Sequence, residues 1–197
     1  MNEHVRTTAR TTQAAEGLPR MRWTLAQFDQ LIEAGILTEQ DHVELIGGEI
    51  VPMSPKGNRH ELVRDELGDR LAQHLPKDVK VSTELGWRPA DDSYFEPDLL
   101  IYARGQKGPT LPAPQVLVPI EIADSSLSFD RETKSKIYAG LGVRDYWVVE
   151  AWSLTTHVHR GLAAGGYGEV RVVAPTEKIE PRLVPGFSVT MVELDLG

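Results

Sequence analysis

Three residues combine side-chain types and positions that could do metal-assisted chemistry. Asp98 follows Pro97 at the head of the apolar run Leu99-Leu100-Ile101, and Glu121 lies inside the apolar run Leu117-Val118-Pro119-Ile120-Glu121-Ile122. An ionised carboxylate in such surroundings is costly unless it is paired or bound to a cation. If the two runs are neighbouring strands, both carboxylates can converge on one hard divalent ion, since Mg²⁺ prefers oxygen ligands and keeps several waters. Lys134, on the next helical segment, would bring a cation to the same place, able to orient a water or stabilise developing negative charge. Each residue also has a plainer reading. Asp98 after a proline fits a turn, Glu121 fits pairing with a structural Arg or Lys, and Lys134 with Lys136 fits a solvated helix face.

Other chemistry-bearing patterns are weaker. His157 and His159 alternate along one strand, a spacing that permits a metal pair, but the sequence places no third ligand and the pair reads as ordinary exposed strand. Gly161 to Gly168 is glycine-rich without a P-loop lysine, and Ser125-Ser126 has no Gly-x-Ser-x-Gly elbow around it. Cysteine is absent, which excludes disulfides, thiolate metal sites and a cysteine nucleophile and suits the cytoplasm.

The elements that must position these residues follow from periodicity and punctuation. Thr24-Leu25-Ala26-Gln27 has capping-box spacing and opens a short amphipathic helix that stops at Gly35. Val43–Ile46 and Glu49–Val51 read as two strands joined by Gly47-Gly48. Leu62, Leu67, Leu71 and Leu75 predict a helix from about His60 to Leu75, ended by Pro76. Strand-like runs follow at about Val79–Arg88, Asp98–Ala103 and Val116–Ala123, then a helix from Arg131 to Leu141 and a strong strand, Asp145–Glu150. Shorter strands are expected near 155–160 and 168–174, with a last one after the Pro181–Gly186 turn. Residues 1–20, rich in Thr and Arg and poor in aliphatics, read as a flexible tail before a single domain over 21–197.

With 197 residues, 41% apolar and 25% charged, the chain has the composition of a globular domain, and no apolar stretch reaches the roughly 18 residues that a membrane helix needs. The net charge of −8 repels polyanions overall, so any nucleic-acid contact must be local or carried by metal ions. A basic rim of Lys56, Arg59 and Arg64, with Arg131, Lys134 and Lys136, is the candidate for such contact, although neighbouring acids dilute it.

Glu44-Leu45-Ile46-Gly47-Gly48-Glu49-Ile50, Met53-Ser54-Pro55, His60 at a helix start, Glu96-Pro97-Asp98-Leu99, Ile120-Glu121-Ile122, Asp130 to Lys134 to Tyr138, and Gly142 to Val149 together resemble the Uma-type restriction-endonuclease family of the PD-(D/E)XK nuclease superfamily, over about residues 22 to 190. The resemblance implies an α/β (α+β) restriction-endonuclease-like core, a mixed central sheet flanked by helices, with an N-terminal helix-and-hairpin extension and extra C-terminal strands. It implies Mg²⁺-dependent cleavage of phosphodiester bonds in nucleic acid, DNA first, and Mn²⁺ as a substitute metal and a homodimer as one candidate assembly are expected alongside it. Asp98 takes the place of the Asp of the PD motif and Glu121 that of the acid of (D/E)XK, and the Ile122 carbonyl joins them as a metal ligand. Ala123 stands where that motif places its lysine, and Lys134 occupies the family's recurring helix position instead. Glu44 and His60 match family positions near the mouth of the site. Asp124-Ser125-Ser126 departs from the family's Ser-Pro and adds a possible third carboxylate. The rival expectation is a nuclease scaffold that binds without turnover, and a non-nucleic-acid phosphoester substrate is a third.

Overall fold

The computed structural model describes residues 20–197. The expected tail lies outside the described residues except for Arg20, which reaches Glu49 at 3.4 Å. Helix α1 (Leu25–Glu33) begins at the capping box read from the sequence: the Thr24 hydroxyl accepts from the Gln27 N–H, and the Gln27 side-chain oxygen accepts from the Thr24 N–H. Thr24→Ala should cost about 1 kcal/mol in urea denaturation; an unchanged midpoint would mean that buried Phe28 alone holds α1. Strands β1 (Val43–Ile46) and β2 (Glu49–Pro52) form the expected hairpin, with Gly47 and Gly48 both at positive φ, as a two-residue turn of this hand requires.

The order continues with α2 (Asn58–His74), β3 (Val79–Thr83), β4 (Trp87–Ala90), β5 (Ser93–Phe95), β6 (Leu99–Ala103), β7 (Val118–Ala123), a π-helical turn (Phe129–Lys134), α3 (Ser135–Leu141), β8 (Asp145–Glu150), β9 (Thr156–Ala163), β10 (Gly166–Val173), β11 (Lys178–Ile179) and β12 (Val189–Thr190). The main sheet runs β10-β9-β8-β7-β6-β3 and is mixed: β7 and β8 are parallel, joined by the crossover through α3, and every other pair is antiparallel. A second sheet, β2-β1-β5-β4, carries the N-terminal hairpin, and β11 pairs with β12 near the C-terminus.

Alternation along the central strands divides the core into two layers. Leu99, Ile101, Val118, Ile120, Ile122, Trp147 and Val149 pack with Val63, Leu67 and Leu71 of α2. Leu100, Tyr102, Tyr146 and Val148 face the other way and pack with Tyr138 of α3 and with Trp87 and Phe95 of the smaller sheet. Glu121 falls in the second set by register, so its carboxylate points toward α3 rather than into the aliphatic layer under α2.

Three expectations need revision. The single run over Val79–Arg88 splits into β3 and β4, which belong to different sheets. Glu84 turns the chain at φ 47°, and Gly86 lets Tyr94 approach so closely that a Cβ would stand 2.8 Å from its hydroxyl. The helix expected from Arg131 opens two residues earlier as a π-turn, a wider coil that recurs at functional sites. His157 and His159 are not exposed: each is about 4% accessible, because Tyr146 and Tyr167 flank the His159 ring and Glu150 binds His157 Nε2 at 2.7 Å.

The buried His159 ring has a thermodynamic consequence. Burial, with His157 and Arg131 adding positive charge nearby, pushes its pKa down to about 4 from an ordinary 6.5. The unfolded chain therefore binds this proton more readily than the folded one, and the stability the neutral ring confers is complete above pH 6.5 and lost as pH falls toward 4. His159→Phe should flatten the fall in thermal midpoint between pH 7 and 4.5 relative to wild type; parallel curves for the two proteins would contradict this.

Candidate active site

The two sheets and the N-terminus of α2 meet at a cavity of about 250 Å³ lined by Glu44, Lys56, His60, Asp98, Glu121, Asp124, Asp130 and Lys134 among others. Every site residue named from the sequence is at this one place. β1 brings Glu44, the first turn of α2 brings His60, the residue before β6 is Asp98, β7 carries Glu121 and Ile122, and the end of the π-turn carries Lys134.

Asp98 is buried and held on three sides. Its Oδ2 lies 3.0 Å from His60 Nε2 and accepts the Ile122 N–H at 2.8 Å, while Oδ1 lies 3.3 Å from the Lys56 ammonium. Burial would raise this carboxyl, but His60, Lys56 and the Ile122 N–H outweigh it and keep its pKa below the usual value. The β6–β7 ladder ends at Leu99 and Ile120, so the rest of β7 leaves its edge open toward Asp98. The Ala123 carbonyl accepts from Ala151 on the β8 side. Main-chain groups alternate edge by edge along a strand, so the Ile122 carbonyl faces the Asp98 side with its N–H.

Lys134 ties the two sheets together. Its ammonium lies 2.9 Å from Glu121 Oε1 on the main sheet and 3.0 Å from Glu44 Oε1 on the smaller one. Glu44 Oε1 also accepts the Glu96 N–H, and Glu121 Oε1 accepts the Tyr138 hydroxyl, each at about 3 Å. Burial opposes the Lys134 charge, but Glu121, Glu44 and Asp130 hold its pKa well above that of an ordinary lysine. Glu121 goes the other way: burial first, with Asp98, Asp130 and Glu44, raises its carboxyl to about 8 against the downward pull of Lys134.

Some of the site was missed in the sequence. Asp130 is buried in the cavity wall, takes a hydrogen bond from Ser126 and has a raised pKa caused chiefly by burial, whereas the sequence reading placed it in the family pattern and among the acids diluting a basic rim without giving it a role in the site. The rim itself is smaller than expected. Arg64 is buried among Glu61, Asp65 and Glu84, Lys134 is inside the cavity, and Lys56 is engaged by Glu84 and Asp98. Its neighbours in the chain do not distinguish Asp130 from a surface acid; the π-turn, which puts it in the cavity wall within the field of Lys134, does so.

The donor set suits a hard cation. Glu44, Asp98, Glu121 and Asp130 are four buried carboxyls set against one fully buried ammonium, and the raised Glu121 pKa is how the site meets that imbalance with protein groups alone. Among the described residues no three His, Asp or Glu side chains converge in ligating geometry. Asp98, Glu121 and the Ile122 carbonyl would thus supply oxygen donors with water completing the shell, as Mg²⁺ tolerates and a closed zinc site does not.

A comparison with curated proteins returns no match. Among solved structures the chain is similar to a crystal structure described as a putative nuclease belonging to DUF820 from Anabaena variabilis ATCC 29413, at 18% identity and a TM-score of 0.64, covering 86% of this chain and 95% of that one. At that identity the likeness speaks for the fold, a mixed α+β architecture shared with that protein. No helix among the described residues is long and apolar enough to cross a membrane. The family model described as Uma2, putative restriction endonuclease, matches residues 25–193, a span that takes in Glu44, His60, Asp98, Glu121 and Lys134. The chain therefore belongs to the Uma2 family and shares its fold with the DUF820 protein.

Proposed function

We propose that the chain is a Mg²⁺-dependent endonuclease acting on nucleic acid, DNA first, with Asp98, Glu121 and the Ile122 carbonyl as metal ligands. The observation that carries this reading is that Asp98 and Glu121 line one cavity beside the open edge of β7, a cavity with more buried carboxyls than buried cations. A divalent ion held there supplies Lewis acidity and a bound water of lowered pKa, with Mn²⁺ able to replace Mg²⁺. Asp98 is kept ionised and fixed in orientation by His60, Lys56 and the Ile122 N–H. Lys134 sits on the Glu121 side, where its fixed charge can orient the attacking water and offset charge developing on the phosphate, the role that the missing lysine at Ala123 would otherwise fill. Glu44 holds Lys134 from the opposite sheet and so acts by positioning it. His60 stands between Asp98 and Glu61 near the cavity mouth, able to pass a proton or meet a phosphate oxygen.

Metal titration separates this reading from a scaffold that binds without turnover. Calorimetry with Mn²⁺ should show saturable binding to wild type and none to Asp98→Asn; wild type that takes up no metal would favour the scaffold.

The reading extends to a cytoplasmic homodimer. Supporting a dimer, β10 is an edge strand with Val170 and Val172 about half exposed, and antiparallel self-pairing centred on Val170 would set Glu169 against the partner subunit's Arg171. Glu169→Lys and Arg171→Glu should each sediment as monomers, and an equimolar mixture of the two should recover dimers. A mixture that stays monomeric while wild type is dimeric would move the interface elsewhere.

A further inference from the structure

Trp152 is the one aromatic side chain among the large exposed hydrophobics of the described residues, at 73% accessibility, while Trp87 and Trp147 are fully buried. It is also held in place. Its indole N–H donates to Asp124 Oδ1 at 3.0 Å, and the Arg59 guanidinium lies 5.9 Å from the ring centroid while donating to the Ala151 carbonyl at 3.0 Å. The turn that presents it is anchored to the end of β7 through the Ala151 N–H and the Ala123 carbonyl, and is closed by Leu154 at φ 59°, an uncommon conformation for a bulky side chain. Asp124 lines the same cavity as Asp98 and Glu121, and Arg59 precedes His60 in the first turn of α2.

Exposing an indole forgoes burial worth a few kcal/mol. Orienting it by a hydrogen bond and a cation at the rim of a polar cavity suits a ligand with a flat π-face and a negative charge. Trp152 is engaged by a carboxylate and a guanidinium, those of Asp124 and Arg59, a polar setting unlike the contiguous apolar centre of a protein interface. Building on the nuclease reading, we infer that Trp152 and Arg59 form a stacking platform for an unpaired base next to the phosphate at Asp98 and Glu121. The substrate class is then nucleic acid that is single-stranded or frayed at the point of cleavage. Stacking of this kind tolerates any base, and Arg59 adds positive charge beside it on a chain whose net charge is −8.

The test uses the full chain in EDTA, so that nothing is cut, with fluorescein-labelled single-stranded oligonucleotides, the matching duplex, and single strands carrying one abasic position moved along the chain. Wild type should prefer the single strand and lose affinity when the abasic position reaches the platform. Trp152→Ala should weaken single-strand binding about 5- to 100-fold and abolish the abasic effect, while Trp152→Phe retains most of both. Equal binding by wild type and Trp152→Ala, or an abasic effect that survives the substitution, would overturn the platform and leave the nuclease reading standing. Wild type that binds no single strand overturns the platform alone if metal-dependent cleavage of duplex persists, and overturns both readings if cleavage is absent as well.

Discussion

Replacing Lys134 with methionine should lower the unfolding free energy by about 3–5 kcal/mol, the cost of leaving buried charges without their partner. Methionine nearly matches the lysine stem in volume, so the loss reports the missing ammonium rather than a cavity. Without it, Glu121 and Glu44 face each other across the junction of the two sheets, with Asp130 nearby. The thermal midpoint should fall by roughly 6–20 °C for a domain of this size. Adding Glu121→Gln to the same chain should restore part of the loss, because it removes one of the stranded acids. Urea denaturation of both variants in EDTA checks this, and a single-variant loss under about 1 kcal/mol would show that Lys134 does not tie the sheets.

The second large effect is on turnover. Glu121→Gln should leave folding nearly intact, because glutamine keeps the shape of the side chain and Lys134 retains Glu44 as its partner. Asp98→Asn keeps an acceptor for the Ile122 N–H but gives up the charge that faces His60 and Lys56. Each variant should lose metal binding, and metal-dependent cleavage should drop by at least about 10³-fold. Cleavage at the wild-type rate by both well-folded variants would remove these carboxylates from the chemistry.

Much of this arrangement was legible in the sequence because it is local or set by register. The Thr24 capping box, the Gly47-Gly48 turn and the α2 leucines act within a few residues of themselves. Glu121 stood out because a charge interrupts an apolar strand, and Asp145 shows how such a charge is satisfied structurally. Asp145 is fully buried but closed off by four hydrogen bonds, from Arg160 twice, the Trp147 indole and the Arg182 N–H. Glu121 instead opens onto the cavity with Lys134 and Tyr138 on one oxygen. What stayed hidden depends on contacts distant in sequence. Lys56 on Asp98, the burial of Asp130 near Lys134 and the burial of His157 and His159 each need a neighbour that periodicity does not name. The division between β3 and β4 was hidden for the same reason, since Gly86 matters only because Tyr94 lies against it.

Cleavage of supercoiled DNA, single-stranded DNA and RNA by the purified full chain, in Mg²⁺, Mn²⁺ and EDTA, decides whether this site cuts nucleic acid. The account predicts cutting in either metal, silence in EDTA, and silence in all three conditions for Asp98→Asn and Glu121→Gln. Cutting that persists in EDTA, or a wild-type chain that binds metal yet cuts none of the three substrates, would contradict it.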